Sequence, residues 1–380
     1  MEMNKYNQKV QLFVMTHKRF QEPRDPMYLP LQVGKKNKQS LGYLGDDTGD
    51  EISAENPYFS ELTGMYWVWK NYHDAQIVGI CHYRRYLLSP DTGKVFTKEE
   101  IQQLLNRYDM IATEKITLPK SYYEGFSGRH HEKDLIELEK VIQERSPEII
   151  PVYQNLIHKN QTYFANMMIC RKELYDEYCQ WLFDILLELQ KRTDMSNYDD
   201  YCKRLFGFLS EILLYIWSEY KHLQVFEAHV ALIGEKAETR ELKEKLQIFF
   251  EKKDLAGARS FLLNTLKSRP DVLMEASDTN GELKLSMELI SICEYEIAQT
   301  GTSMLEQCSD FEVLLGRLKN LNSGIDKYRI GTITPEELKS LLKNTTQALY
   351  VAVQVMCWNP ADAQKVYQEL AEKKTAEAVL

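Results

Sequence analysis

The sequence predicts a two-part chain, an α/β sheet domain over residues 1–238 followed by a smaller all-helical domain over residues 239–380. Three observations carry this prediction. Apolar runs of strand length at 9–15, 76–83, 109–113, 163–170 and 224–234 alternate with stretches of helical periodicity, the pattern of an α/β sheet. Beyond Glu238 such runs stop and capped helical segments take over. The length, 380 residues, is more than one ordinary domain needs and suits two.

Each element has its own justification. Residues 9–15 (KVQLFVM) read as a buried first strand that opens onto a polar loop at Thr16, His17 and Lys18. Loops at the carboxyl ends of such strands are where α/β folds place ligands. Residues 21–50 are rich in Pro, Gly, Lys and Asp and read as irregular. From Pro57 the spacing of Tyr58, Leu62, Met65, Tyr66 and Trp69 predicts a helix, with Asn56 as its cap. Residues 76–83 (QIVGICHY) form a second buried strand, with Arg84 and Arg85 just beyond it. Residues 109–113 give a third, 131–144 a helix, and 163–170 (YFANMMIC) a further strand. Two long amphipathic helices follow, one through Leu174, Tyr178, Leu182, Ile185 and Leu189, one through Leu209, Ile212, Leu213, Ile216, Trp217 and Tyr220. A last strand covers 224–234. In the second domain, Thr334-Pro335-Glu336-Glu337 is a capping box with Pro at the first helical position, and Asn359-Pro360 repeats the theme. The run 254–271 suggests a helical hairpin, without a second copy at a fixed period.

Composition narrows the functional classes. With 47 basic against 56 acidic side chains, the net charge is −9, the wrong sign for a protein that neutralises many phosphates, so nucleic acid is not an expected partner. Tyr is overused, 23 residues beside 14 Phe and 5 Trp, which suits a cleft for sugars or nucleobases as well as ordinary core. The seven Cys are scattered, odd in number and never spaced C-x-x-C, so reduced thiols and a cytoplasmic setting are expected rather than disulfides or structural zinc. No signal-peptide-like or membrane-spanning apolar stretch is present in the sequence.

Four stretches carry candidate chemistry. In 79–86 (GICHYRRY), His82, Tyr83, Arg84 and Arg85 sit at the exit of a buried strand. Guanidinium groups match phosphate oxygens in pairs and stay charged at any working pH, so Arg84 and Arg85 can hold a diphosphate and neutralise it as a leaving group. Surface ion pairing is the plain alternative. In 45–50 (GDDTGD), Asp46, Asp47 and Asp50 are the candidates for Mg²⁺ or Mn²⁺ or for sugar hydroxyls, against a simple Asp/Gly turn. On the 56–71 helix, Glu61 and Trp67 fall off the apolar stripe and can face a cleft. In 204–211 (RLFGFLSE), preceded by Asp199 and Asp200, Glu211 is a candidate general base, against a first-turn Glu favoured by the helix dipole. Asn166, within an apolar run, is either a structural bridge or a ligand contact. Neither a phosphate-binding glycine loop nor a G-x-S-x-G elbow occurs, which argues against P-loop, dinucleotide and serine-hydrolase chemistry.

Taken in order, GDDTGDEIS, NPYFSELTGMYWVWKN, VGICHYRRYL, FANMMICRKELYDEYCQWLF and GFLSEILL resemble the bacterial DUF4422 glycosyltransferase-like proteins of capsular and exopolysaccharide gene clusters, from about residue 9 to 235. The resemblance implies a GT-A-like nucleotide-sugar fold, and transfer of a hexose, galactose in pyranose or furanose form, from a UDP-sugar to a glycan acceptor, lipid-linked or protein-linked. Where GT-A enzymes carry a metal-binding D-x-D, this chain has His82-Tyr83-Arg84-Arg85, which assigns charge neutralisation to the arginines. The resemblance also implies Thr16 and His17 near the nucleotide, with His82, Tyr83, Asp46, Asp47 and Asp50 on the donor side. Glu61, Trp67, Asn166, Asp199 and Asp200 would stand on the acceptor side, and Glu211 would be the base of an inverting displacement. A cytoplasmic enzyme, peripheral at the inner face of the plasma membrane, with a protein partner on its helical domain, is the resulting expectation. A non-catalytic nucleotide-sugar or glycan-binding module, or a phosphotransferase using the same arginines, are its rivals.

Overall fold

The first apolar run is β1 (Val10–Thr16), buried along its whole length as a central strand of a covered sheet must be. The computed structural model describes residues 9–232, 237–268, 281–357 and 359–379. On either side of β1 lie β2 (Tyr28–Gln32) and β4 (Ile77–His82), both parallel to it, and β3 (Leu44–Gly45) pairs parallel with β2. The sheet is completed by β5 (Arg85–Leu87), β6 (Met110–Thr113), β9 (Met168–Arg171), β10 (Val225–Ala228) and β11 (Val230–Leu232), in the order β10-β6-β9-β4-β1-β2-β3, with β5 joining β4 to β11. A separate pair is formed by β7 (Ile116–Thr117) and β8 (Gln161–Thr162). Most important for the site, β9 runs antiparallel between β4 and β6, with Met168 opposite Ile80. The residues just before Met168 therefore arrive at the carboxyl ends of the neighbouring strands.

Side chains alternate between two cores. Phe13, Met15, Val78 and Ile80 face the helices Leu62–Asn71, Glu132–Arg145, Lys172–Arg192 and Leu205–Tyr220. Leu12, Val14, Ile77 and Cys81 face a thinner layer that includes Met27, Phe96 and Ile101. At about 25 cal/mol per Å² of apolar surface, these layers hold the sheet while its loop edge stays free for polar groups.

Several sequence expectations need correction. Residues 21–50 are not irregular throughout, because β2 lies within them; Pro30 disguised it, since a proline usually argues against a central strand. The helix expected over 56–71 is two, Asn56–Phe59 and Leu62–Asn71, because Ser60 turns left-handed at φ 53°. The strand expected over 163–170 begins only at Met168, since Ala165 and Asn166 are also left-handed, at φ 72° and 50°. The last strand is split at His229 into β10 and β11, and residues 233–234 lie outside the described residues.

The chain separates into two compact units, Met1–Gly234 and Glu235–Leu380. Among its described residues the second unit is helical, with Ala237–Glu251, Leu255–Ser268, Glu282–Thr300, Phe311–Arg329, Pro335–Leu342, Thr346–Met356 and Pro360–Val379 around a core of Leu, Ile and Phe. The 254–271 run is one helix, not a hairpin, over its described part; residues 269–271 lie outside the described residues. The Thr334 capping box is formed as expected, and Asn359 Oδ1 accepts from the Ala361 N–H. All seven cysteines are free thiols and six are buried. No helix among the described residues is long and apolar enough to cross a membrane.

Candidate active site

The site is assembled by one turn of backbone, Phe164-Ala165-Asn166, delivered to the loop edge of the sheet by β9. The Ala165 N–H donates to Glu211 Oε1 at 2.8 Å. Its carbonyl accepts from His82 Nε2 at 2.7 Å. Asn166 Nδ2 donates to Glu61 Oε1 at 2.8 Å and to the Gly207 carbonyl at 3.1 Å. Both Asn166 partners are acceptors, so the amide orientation is fixed, and its Oδ1 is left buried without a partner. Two successive left-handed non-glycine residues cost about 1–2 kcal/mol each, and such strain persists only where surrounding contacts over-determine it. Here four contacts do so, and all of them are to candidate site residues or their helix.

Each partner is held by its own local device. His82 ends β4 and pairs with Arg85 across a tight turn in which Tyr83 and Arg84 occupy the two central positions. Glu61 stands at the amino end of the Leu62–Asn71 helix because the chain breaks at Ser60. Glu211 lies in the second turn of the largely apolar Leu205–Tyr220 helix, which has no acidic residue in its first turn, so the dipole explanation for it fails. Gly207 lets that helix approach the break closely, since a Cβ there would stand 3.2 Å from the Ser60 side chain.

Electrostatics set this cluster apart. Arg145, Arg192, Arg259 and Arg329 all hold carboxylates. By contrast, Arg84, Arg85 and Arg204 are half-buried and make no ion pair among the described residues. Arg85 lies over the Phe164 ring at 5.2 Å, and Arg204 lies over Phe208 at 5.1 Å with its Nε donating to Ser60 Oγ at 3.3 Å. Burial presses the Arg85 pKa down, and Glu211 and Glu61 push it back up. Burial pushes the Glu211 carboxyl up to about 8, reinforced by Glu61 and opposed by the Ala165 N–H, Arg85 and Arg204. Burial, together with Arg85, lowers the His82 pKa, and Glu61 opposes it. Three guanidinium groups free of ion pairs among the described residues, beside a carboxyl pushed up to about 8, can take an anion and move a proton.

At the neighbouring carboxyl end of β1, the exposed His17 meets Tyr83 edge-on at 5.3 Å between ring centroids. Lys18 and Arg84 stand 5.4 and 5.7 Å from the same Tyr83 ring. An aromatic face with cations around it suits a nucleobase and its phosphates.

The family model described as "Domain of unknown function (DUF4422)" matches residues 11–222, more than half of the chain. The chain belongs to the DUF4422 family. Among solved structures, the apo WbbM bifunctional glycosyltransferase is similar at 30% identity with a TM-score of 0.55; the match covers 60% of this chain and 45% of that one, so this chain corresponds to less than half of WbbM. That likeness supports a GT-A-like fold for the sheet unit. No curated protein matches. Every residue of the cluster, from Glu61 to Glu211, lies inside the DUF4422 match.

Other residues expected in the site of this DUF4422 chain have different duties. Asp46 is fully buried and both of its oxygens are spent, Oδ2 on the Gly34 N–H and the Thr63 hydroxyl, Oδ1 on the Lys35 N–H and the Ser53 hydroxyl. Asp47 pairs with Lys35, while Asp50 accepts from the Tyr66 hydroxyl and faces Lys70 at 3.9 Å. These carboxylates do not converge on a cation, and no cluster of three or more metal-ligating side chains occurs among the described residues. Trp67 is buried, its Nε1 donating to Thr48 at 3.0 Å, so it fastens this loop. The Thr16 hydroxyl is buried and taken up in a turn with Lys18. Asp199 accepts the Cys202 N–H, which holds its carboxyl below the usual range, and Asp200 makes an exposed pair with Lys203. Sequence reasoning missed Arg204 and the Ala165 peptide, for which nothing local signals a role.

Proposed function

We propose that this chain is a glycosyltransferase that moves a hexose, galactose in pyranose or furanose form, from a UDP-sugar to a hydroxyl of a lipid-linked or protein-linked glycan. One observation carries the reading: three half-buried arginines that make no ion pair among the described residues gather beside a carboxyl poised near neutral pH. In this mechanism Arg84, Arg85 and Arg204 bind the diphosphate, and the nucleobase lies toward His17 and Tyr83. Ionised Glu211 takes the proton of the acceptor hydroxyl as that oxygen bonds to the anomeric carbon. The bond from that carbon to the diphosphate breaks, its electron pair leaves with UDP, and the arginines neutralise the developing charge. The configuration inverts. The 46–50 loop does not fit a metal, its key carboxylate being fully spent inside the protein, so no step runs through Mg²⁺ or Mn²⁺. The similarity to WbbM supports the reaction class, and the sugar and acceptor rest on the family resemblance.

The test is UDP release from a panel of UDP-sugars and acceptors, with and without EDTA. Turnover that survives EDTA and collapses in Arg84→Ala/Arg85→Ala is expected. Full activity in that double variant removes the diphosphate assignment. Tight UDP binding with no turnover on any acceptor marks a binding module instead.

A further inference from the structure

We infer that His82 serves the donor as a neutral hydrogen-bond acceptor, its Nδ1 lone pair receiving a hydroxyl of the transferred sugar. This rests on the diphosphate reading above but assigns His82 a different partner from the arginines beside it.

The hydrogen bond to Ala165 decides the tautomer. A carbonyl oxygen can only accept, so His82 Nε2 must carry the proton at 2.7 Å. A second proton on Nδ1 would place an imidazolium in a half-buried site next to Arg85, its partner across the turn, with Arg84 and Arg204 also in the cluster. Burial, the largest influence, and Arg85 act against that charge, and Glu61 and the Ala165 carbonyl favour it without outweighing them, so the pKa is lowered. Glu61 is itself engaged by Asn166. Nδ1 is therefore a bare lone pair, it makes no hydrogen bond among the described residues, and it is not among the buried polar atoms sealed without a partner. A lone pair is repelled by phosphate oxygens and attracted to O–H groups. Beside three guanidinium groups that claim the phosphates, the donor's remaining polar groups within reach are its hydroxyls. The strained Ala165 peptide thus orients two side chains at once: its carbonyl fixes the His82 ring and its N–H fixes Glu211.

Two measurements on the full chain test this. The first is ¹⁵N NMR of histidine-labelled protein at pH 7.5, with His82→Gln used to assign the signal. A protonated Nε2 and a bare Nδ1 are expected, and a protonated Nδ1 overturns the inference. The second compares His82→Gln, whose amide can reach the Nε2 position, with His82→Asn, whose amide can reach that of Nδ1. With UDP-galactose, or the UDP-hexose that wild type turns over fastest, His82→Gln should lose about 10-fold in kcat/KM while inhibition by UDP stays within about twofold; His82→Asn should keep more of the sugar-dependent component. A parallel loss of UDP affinity would mean that His82 acts on the phosphates. Unchanged kcat/KM in His82→Gln refutes the sugar contact alone, whereas a wild-type chain that binds no UDP refutes the diphosphate reading and the contact with it.

Discussion

Replacing Glu211 by Gln keeps an oxygen for the Ala165 N–H and removes only the titration. In wild type the carboxyl gives up its proton near 4.5 when unfolded and near 8 when folded. Between those values the folded chain holds a proton that the unfolded chain has lost, so stability falls as pH rises, at about 1.4 kcal/mol per pH unit. The whole interval sets a ceiling of about 5 kcal/mol, and because one edge of the carboxyl reaches solvent, about 2–3 kcal/mol is expected. Glu211→Gln should therefore match wild type in stability near pH 4 and exceed it above pH 8. Turnover should fall about 10²–10⁴-fold, and the wild-type rate should climb with pH toward a plateau above 8. Urea unfolding followed by tryptophan fluorescence at pH 4, 6 and 9 reads the stability difference, since Trp67, Trp69, Trp181 and Trp217, four of the five Trp, lie in the sheet unit. Equal stability of the two chains at pH 9 would refute the raised carboxyl, and undiminished turnover would remove Glu211 as base.

Arg85→Ala should weaken UDP binding about 10- to 100-fold by calorimetry, as should Arg204→Ala, with the loss shrinking at high salt. Asp46→Ala orphans the Gly34 and Lys35 N–H groups and two hydroxyls, and should cost about 3–5 kcal/mol in urea unfolding while EDTA leaves wild-type turnover unchanged. Ala165→Gly relieves a left-handed residue but loosens the unfolded chain, for a net stabilisation of about 0.5–1 kcal/mol, with turnover retained because its contacts to Glu211 and His82 are backbone.

The elements easiest to read from the sequence were those whose apolar pattern is long and uninterrupted, such as β1, β4 and the Lys172–Arg192 helix. β2 was hidden by Pro30, whereas the breaks at Ser60 and at Ala165-Asn166 share another cause, a backbone conformation that the side chains do not advertise. Nothing in FSEL announces a left-handed Ser60, and YFANMM alternates no differently from a strand. These two breaks are the ones that aim Glu61 and Asn166. Arg84, Arg85, Glu211 and His82 stood out because polar groups at strand ends or inside apolar helices need a reason. The Asp46 loop misled because an aspartate that organises a fold and one that holds a cation share the same Asp/Gly-rich setting; only the donors brought by Gly34, Ser53 and Thr63 tell them apart.

The free cysteines give this protein a built-in clock. Cys81, Cys170 and Cys179 are sealed in the sheet unit, their thiols pushed up by burial, and Cys293 and Cys357 are buried in the helical unit; Cys308 alone is partly exposed. A thiol reagent must therefore wait for local opening at each of the sealed sites. Peptide mapping after timed labelling would read the opening rates of both units from one unmodified chain, and added UDP should slow Cys81, which directly precedes His82, more than Cys293.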